Sequence, residues 1–194
     1  MLSVVVLISG TGSNLLALLK AIDSPLVPVR VVAVGSDGPA PGLAHADLYG
    51  VPTFVVERSM FPDRESWAKR LQETIEGYSP DLVALAGFMK ILPPAFIKRF
   101  SPNLINIHAS LLPLFPGAHA VRDTLDAGVT ETGATIHVVD EGIDTGPVIF
   151  QRTVQVMPGD DVATLHERIK VHERELLIET IIGVAENRID LASI

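Results

Sequence analysis

Apolar and amphipathic segments alternate along the first 110 residues of the chain. The run SVVVLIS at 3–9 is apolar and rich in β-branched residues, as expected of a strand covered on both faces. In the next segment, NLLALLKAID at 14–23, the apolar residues recur at i, i+3, i+4 and i+7, which marks one face of a helix. The same pattern predicts further strands at 28–36, 52–57, 81–87 and 104–108, and helices at 41–50 and 62–78.

This alternation predicts an α/β fold: a doubly wound, mostly parallel, Rossmann-like sheet built from right-handed βαβ units. The pattern changes after residue 130, where two long runs at 132–140 and 147–156 flank the turn EGIDTG. They predict an antiparallel C-terminal strand pair, followed by a long C-terminal helix at about 161–187. We expect a single domain over 1–194, with 1–110 as its nucleotide-binding-like half and 111–194 completing it.

Composition narrows the classes of protein that fit. A chain of 194 residues with 47% hydrophobic and 20% charged residues can bury a sizeable core. It has no cysteine, which excludes disulfides and thiolate chemistry. The net charge of −8 argues against a nucleic-acid partner. The start of the chain, MLSVVVLISG, lacks the features of a signal peptide, and no apolar run reaches the length of a membrane span, so we expect a soluble, cytoplasmic protein.

In open α/β sheets, ligands bind beyond the carboxyl ends of the strands, and the first such place is GTGSN at 10–14. Gly10 and Gly12 permit a tight turn, and Ser13 or Asn14 is expected to cap the following helix. The free amides and the helix dipole would form an anion site. The alternative is an ordinary strand-to-helix turn.

A dinucleotide site is a second interpretation of the same turn. It would need a third glycine where the chain has Leu15, although Asp37 could imitate the acid that binds a ribose. The pattern therefore favours a site for one phosphate.

An apolar loop, AGFMKILPP at 86–94, leaves the fourth predicted strand. Its apolar residues either plug the end of the sheet or form a wall for a flat ligand.

An amide, an imidazole and a carboxylate are the candidate catalytic groups. Asn106 and His108 lie two residues apart on one strand, so their side chains face the same way at its carboxyl end. The turn DEGIDTGP at 140–147 offers Asp140, Glu141 and Asp144, and a carboxylate beside His108 would favour its imidazolium form. Such a group can stabilise an oxyanion and move a proton, whereas the alternative is that His108 is a satisfied core residue.

Nothing in the sequence supplies an enzyme nucleophile. Ser110 stands in no G-x-S-x-G turn, and the six histidines show no spacing typical of a metal site. We therefore expect no metal, and we expect the nucleophile to belong to a substrate, with direct transfer between two bound molecules.

Four motifs resemble those of the folate-dependent formyltransferases: ISGTGSNL, LAGFMKIL, NIHASLLPLFPGAH and TGATIHVVDEGIDTGPVI. The similarity covers essentially the whole chain. It implies transfer of a formyl group from 10-formyltetrahydrofolate, as co-substrate, to the amine of glycinamide ribonucleotide in purine synthesis, by direct attack through a tetrahedral intermediate. A homodimer is left open.

The resemblance also implies residue roles. Asn106 and His108 would bind the oxyanion, while Asp144 would keep His108 protonated and assist proton transfer. The substrate phosphate and ribose would be bound by Gly12, Ser13, Asn14, Lys170 and Glu173. The folate would be bound by Arg64, Met89, Lys90, Ile91, Leu92, Asn106, Asp140 and Glu141.

One departure from the family pattern is Ala109, where proline usually follows the histidine; HASLLP also occurs in relatives that formylate methionyl-tRNA, which the acidic composition disfavours. Another formyltransferase or hydrolase that uses 10-formyltetrahydrofolate is the main alternative. A degenerate nucleotide-binding module would be expected to have lost Asn106, His108 or Asp144, and a reductase that uses NAD(P) would need the missing glycine.

Overall fold

The computed structural model describes residues 1–194, and a seven-stranded sheet forms its centre. The strands are β1 Leu2–Ile8, β2 Val29–Ser36, β3 Thr53–Val55, β4 Leu82–Leu85, β5 Leu104–His108, β6 Glu131–Val138 and β7 Val148–Gln155. The helices are α1 Ser13–Ala21, α2 Leu43–Leu48, α3 Arg64–Glu76, α4 Pro94–Phe100, α5 Ala120–Asp126 and α6 Val162–Ala185. Short 3-10 helices lie at Arg58–Met60 and Leu191–Ser193.

The strand order is β3-β2-β1-β4-β5-β6-β7. The first five strands pair in parallel, and β6 and β7 add to β5 as an antiparallel pair. This confirms the predicted fold class. The order reverses between β1 and β4, and the helices that follow these two strands, α1 and α4, lie on opposite faces of the sheet. The two connections therefore separate and leave a crevice, in which ligands of this class of sheet bind.

Strand β1 shows why its sequence is apolar throughout. Val4, Val6 and Ile8 pack into a core cluster with α1 and α6, whereas Val5 and Leu7 pack into a second cluster with α3 and α4. All five side chains have 0% exposure, because helices cover both faces of the sheet. Burial of each such side chain is worth about 1.5–3 kcal/mol.

Helix α6 spans the sheet under β5, β6 and β7. It starts with a capping box, in which Asp161 accepts from the Thr164 amide and the Thr164 hydroxyl accepts from the Asp161 amide. Its buried stripe is apolar except for polar members such as Glu173, which has 6% exposure. A buried carboxylate is costly without partners, and Glu173 Oε2 accepts a hydrogen bond from Asn14 Nδ2 at 3.2 Å.

Several element predictions were wrong in detail. Helices α4 and α5 were not predicted, since each has only seven residues and too few turns to show a helical period. Strand β3 has three residues instead of six. Helix α3 begins after Asp63, whose side chain accepts from the Ser66 amide, and not at Pro62.

None of the helices combines the length and the apolar composition that crossing a membrane requires.

Candidate active site

A cavity of about 680 Å³ opens beyond the carboxyl ends of β1, β4 and β5. This volume is within the usual range for a small-molecule site. The predicted site residues that line it are Gly12, Ser13, Asn14, Met89, Lys90, Ile91, Leu92, Asn106, His108, Asp140, Asp144, Lys170 and Glu173. Two predicted folate ligands do not line the cavity: Arg64 lies at the start of α3 and pairs with Glu65, and Glu141 is exposed on its turn.

Asn106, His108 and Asp144 converge at the centre of this cavity. The Asp144 Oδ2 atom lies 3.4 Å from His108 Nδ1, and Asp144 Oδ1 accepts from Asn106 Nδ2 at 3.4 Å. The Gly117 amide donates to Asp144 Oδ2 at 2.8 Å. Although 36 residues of sequence or more separate Asp144 from the other two side chains, the pairing of β5 with β6 brings its turn alongside them.

The loop after β5 fixes the His108 ring. His108 Nε2 donates to the Phe115 carbonyl at 2.9 Å, so the ring faces an acceptor on each side. A backbone carbonyl and a carboxylate both accept only, and the ring satisfies both when each nitrogen carries a proton. Both ring nitrogens are therefore placed to donate hydrogen bonds.

Ser110 is a structural residue of the same loop. It is fully buried, and its hydroxyl donates to the Leu114 carbonyl at 2.5 Å. The Thr135 hydroxyl donates to the Ser110 carbonyl at 2.6 Å and accepts from the Leu112 amide at 3.1 Å. These bonds fold the loop against β6 and leave Ser110 no access to a substrate.

Asp144 remains ionised in this environment. Burial raises the pKa of this carboxyl group, but the His137 ring, the Gly117 amide and the His108 ring together outweigh burial and lower the pKa to about 2. A carboxylate with so low a pKa is a weak proton acceptor at neutral pH. Its position favours an electrostatic role beside His108 over a role as proton carrier.

His137 belongs to the same network, and sequence reasoning missed it. Its ring has 2% exposure, with Nδ1 donating to the Val138 carbonyl at 3.0 Å. Its Nε2 atom lies 3.2 Å from Asn106 Nδ2 and 3.5 Å from Asp144 Oδ1. His137 stands opposite Asn106 in the antiparallel register of β5 and β6, and only that register places it in the site.

At the first turn of α1, the predicted side-chain caps were wrong. The N-cap is Gly12, with φ 69°, and no side chain caps the helix. The Asn14 Nδ2 atom instead donates to Glu173 Oε2 at 3.2 Å, and Asn14 Oδ1, in a side chain with 7% exposure, has no partner. The first amides of α1 therefore have no acceptor in the protein and face the cavity, as an anion site requires.

Gly12→Ala is expected to destabilise the fold by about 1–3 kcal/mol, whereas Gly10→Ala should be nearly neutral. A Cβ at Gly12 would lie 2.9 Å from Gly42 Cα and would force a left-handed conformation on alanine, but a Cβ at Gly10 meets nothing within 4 Å. Urea unfolding of both variants measures the difference. Equal stability of the two variants would contradict the close packing of Gly12 on Gly42.

The apolar loop after β4 divides its side chains between two environments. Phe88 and Leu92 are buried, with Phe88 stacked on Trp67, so they plug the sheet end. Met89 and Ile91 have 67% and 61% exposure and line the cavity, as expected of a wall for a flat ligand. The interpretation as a plug is therefore confirmed for Phe88 and Leu92, whereas a wall for a flat ligand stays a prediction for Met89 and Ile91.

Asp37 anchors this loop and does not lie in the cavity lining. The Ser9 hydroxyl donates to Asp37 Oδ1 at 2.5 Å and accepts from the Met89 amide at 2.8 Å, while Lys90 Nζ lies 3.4 Å from Asp37 Oδ2. These contacts connect the ends of β1 and β2 to the wall of the cavity. They leave Asp37 paired, so it does not imitate an acid that binds a ribose.

The sequence and the fold of this chain are similar to those of known proteins. Residues 2–181 match the family described as formyl transferase. The phosphoribosylglycinamide formyltransferase of Mycobacterium tuberculosis is 48% identical over 181 residues, covering 93% of this chain and 84% of that protein. Its Escherichia coli counterpart is 39% identical over 191 residues, covering 98% and 90%. The crystal structure of glycinamide ribonucleotide transformylase 1 from Symbiobacterium toebii superposes with a TM-score of 0.93 at 40% identity, covering 97% of this chain and 89% of that chain.

Proposed function

Because the chain belongs to the formyl transferase family, we propose that it transfers a formyl group from 10-formyltetrahydrofolate to the primary amine of glycinamide ribonucleotide, a reaction of purine biosynthesis. The observation that carries this proposal is the convergence of Asn106, His108 and Asp144 within 3.4 Å contacts in the cavity. The three groups lie between an anion site and an apolar wall. A phosphorylated amine and a flat folate can therefore meet at them.

Both ends of the cavity match the chemistry of these two molecules. The phosphate would accept hydrogen bonds from the amides at the start of α1, and the ribose hydroxyls would bond to Glu173 and to the unpartnered Asn14 Oδ1. The folate ring would lie against Met89 and Ile91, where backbone groups can bond its polar edge. Arg64 and Glu141 stay predictions as folate ligands, and they would serve the exposed part of that molecule.

In the proposed reaction, the amine of the nucleotide attacks the formyl carbon and a C–N bond forms. The carbonyl electron pair moves to oxygen, where Asn106 Nδ2 and a ring N–H of His108 donate to the oxyanion. The amine then loses a proton and N10 of the folate gains one, so the C–N10 bond breaks and tetrahydrofolate leaves. Asp144 stabilises the positive charge of His108 throughout, and no enzyme-bound formyl group forms.

The second candidate function keeps the same donor but uses water or another amine as acceptor. The uncapped amides at the start of α1 argue against water, because hydrolysis needs no phosphate group on the acceptor. The predicted cytoplasmic location and a homodimer stay predictions from the sequence.

Release of the folate product in the presence of different acceptors tests the proposed function. We expect the absorbance change of folate release to require glycinamide ribonucleotide, with water and an aminosugar nucleotide giving less than about 1% of that rate. Release at the same rate without any acceptor would instead establish a hydrolase. Release driven by the aminosugar nucleotide would establish a different formyltransferase.

A further inference from the structure

Helix α6 places His166, in addition to Lys170 and Glu173, at the end of the cavity where the substrate phosphate would bind. His166, Lys170 and Glu173 follow one another at i, i+4 and i+7, so they share one face of the helix, and all three line the cavity. No residue of α6 beyond Glu173 lines it. The cavity therefore runs along the N-terminal half of α6, and the Asn14–Glu173 hydrogen bond joins this half to the first turn of α1.

The fixed charges at this end are poorly matched to a phosphate dianion. Glu173 is buried and, when ionised, negative. The Lys170 ammonium group, the cation on the same face of α6, bonds to the exposed Glu167 carboxylate at 2.6 Å. On helix α6, a phosphate that approaches the α1 amides would thus meet one buried carboxylate and a lysine whose charge is shared, so one more cation on this helix would improve binding.

His166 can supply that cation. Its ring is half-buried, lies one helical turn from Lys170, and has no hydrogen-bond partner in the protein. A ring that lines a cavity without a partner is free to bond to a ligand there. We propose that His166 is a ligand of the substrate phosphate and binds it as imidazolium, which rests on the proposed function.

The surroundings of His166 make its charge depend on the phosphate. Burial lowers the pKa of the ring; Glu173 acts in the opposite direction, Lys170 lowers the pKa further, and Glu167 opposes this. From other elements, His119 just before α5, Arg122 of α5 and the positive end of α1 face the same cavity. In the free protein the ring is therefore neutral at neutral pH, and a phosphate dianion in contact with it favours the charged form.

Binding of the nucleotide should be accompanied by proton uptake at His166. Between the lower pKa of free His166 and the higher pKa in the complex, binding of the nucleotide takes up a proton, so affinity falls as pH rises through the upper value. The phosphate of the nucleotide also titrates near neutral pH. That effect is common to the wild-type protein and a variant, and the ratio of their KM values removes it.

An NMR titration of the histidine rings tests the inference, with the His166 signal assigned by its loss in His166→Gln. We expect saturating glycinamide ribonucleotide to raise the pKa of His166 by at least about one unit, and the phosphate-free glycinamide riboside to leave it unchanged. An unchanged pKa in the nucleotide complex would overturn the inference. So would an equal rise with the riboside, because the phosphate would then not be the cause.

Steady-state kinetics gives the second readout. His166→Gln should raise KM for the nucleotide about 5–20-fold at pH 6.5 and less at pH 8.5, with kcat within a factor of about two. His172→Gln on the same helix is the control, because His172 pairs with Glu175 and does not line the cavity. A His166→Gln variant with the wild-type KM at both pH values contradicts the inference. Absence of formyl transfer to the nucleotide by the wild-type protein overturns the proposed function itself.

Discussion

Replacing His108 or Asn106 with alanine is expected to lower kcat about 10²–10³-fold, with much smaller changes in the KM for either substrate. Both side chains donate to charge that exists only after the amine attacks, so their loss raises the barrier and leaves ground-state binding nearly intact. Among the groups that the two side chains contact, the Phe115 carbonyl and the Asp144 carboxylate only accept hydrogen bonds and cannot replace the missing donor.

Steady-state kinetics at saturating concentrations of both substrates measures this effect. The matched control is His172→Ala, which removes an imidazole from the protein without touching the cavity and should keep wild-type kcat. Unfolding curves of the His108 and Asn106 variants separate loss of chemistry from loss of folding. A folded variant of either residue with near-normal kcat would refute the oxyanion role of that residue.

Asp144→Asn is expected to lower kcat by about 10²-fold at pH 6 and by more at pH 8. The substitution keeps the shape of the side chain but removes the charge beside His108. The carboxyl group of the wild-type protein, with its pKa lowered to about 2, is ionised over the whole range, so its own titration contributes nothing between these pH values. An imidazole without an anionic partner is mostly neutral above about pH 6.5 and then donates less strongly to an oxyanion.

The pH profile of kcat for the wild-type and Asp144→Asn proteins, measured from pH 5.5 to 9, distinguishes two roles of this residue. A loss of kcat that grows with pH would show that the charge of Asp144 stabilises the imidazolium form of His108. A deficit that is the same at every pH would contradict that role and would favour Asp144 as a proton carrier. His137 and Gly117 also contact this side chain, so unfolding curves must show that the variant still folds.

Local features of the fold could be predicted from the sequence because they depend on neighbouring residues. The apolar run of β1 and the alternation of strands and helices predicted the parallel sheet, and the Gly/Asp-rich turn predicted the antiparallel pair β6 and β7. Helices α4 and α5 were missed because seven residues carry too little periodicity. Their existence depends on packing against the sheet.

Some positions in the candidate site also follow from local sequence, whereas others depend on contacts between distant residues. Asn106 and His108 share a strand, so their common direction follows from strand geometry alone. The position of His137 depends on the register between β5 and β6, and the Asn14–Glu173 bond joins residues 159 apart, so neither follows from local sequence. The predicted cap on α1 was wrong because Gly12 takes the N-cap position and Asn14 is held by Glu173.

Direct transfer between two bound molecules is tested most directly by following the formyl carbon. The protein is mixed with a stoichiometric amount of 10-formyltetrahydrofolate that carries an isotopic label in the formyl group, with and without glycinamide ribonucleotide, and is then denatured with acid. The proposed mechanism predicts that label appears in the nucleotide at the same rate as tetrahydrofolate is released, and that none is bound to the protein. Label bound to the denatured protein, or tetrahydrofolate released at the full rate without the nucleotide, would contradict it.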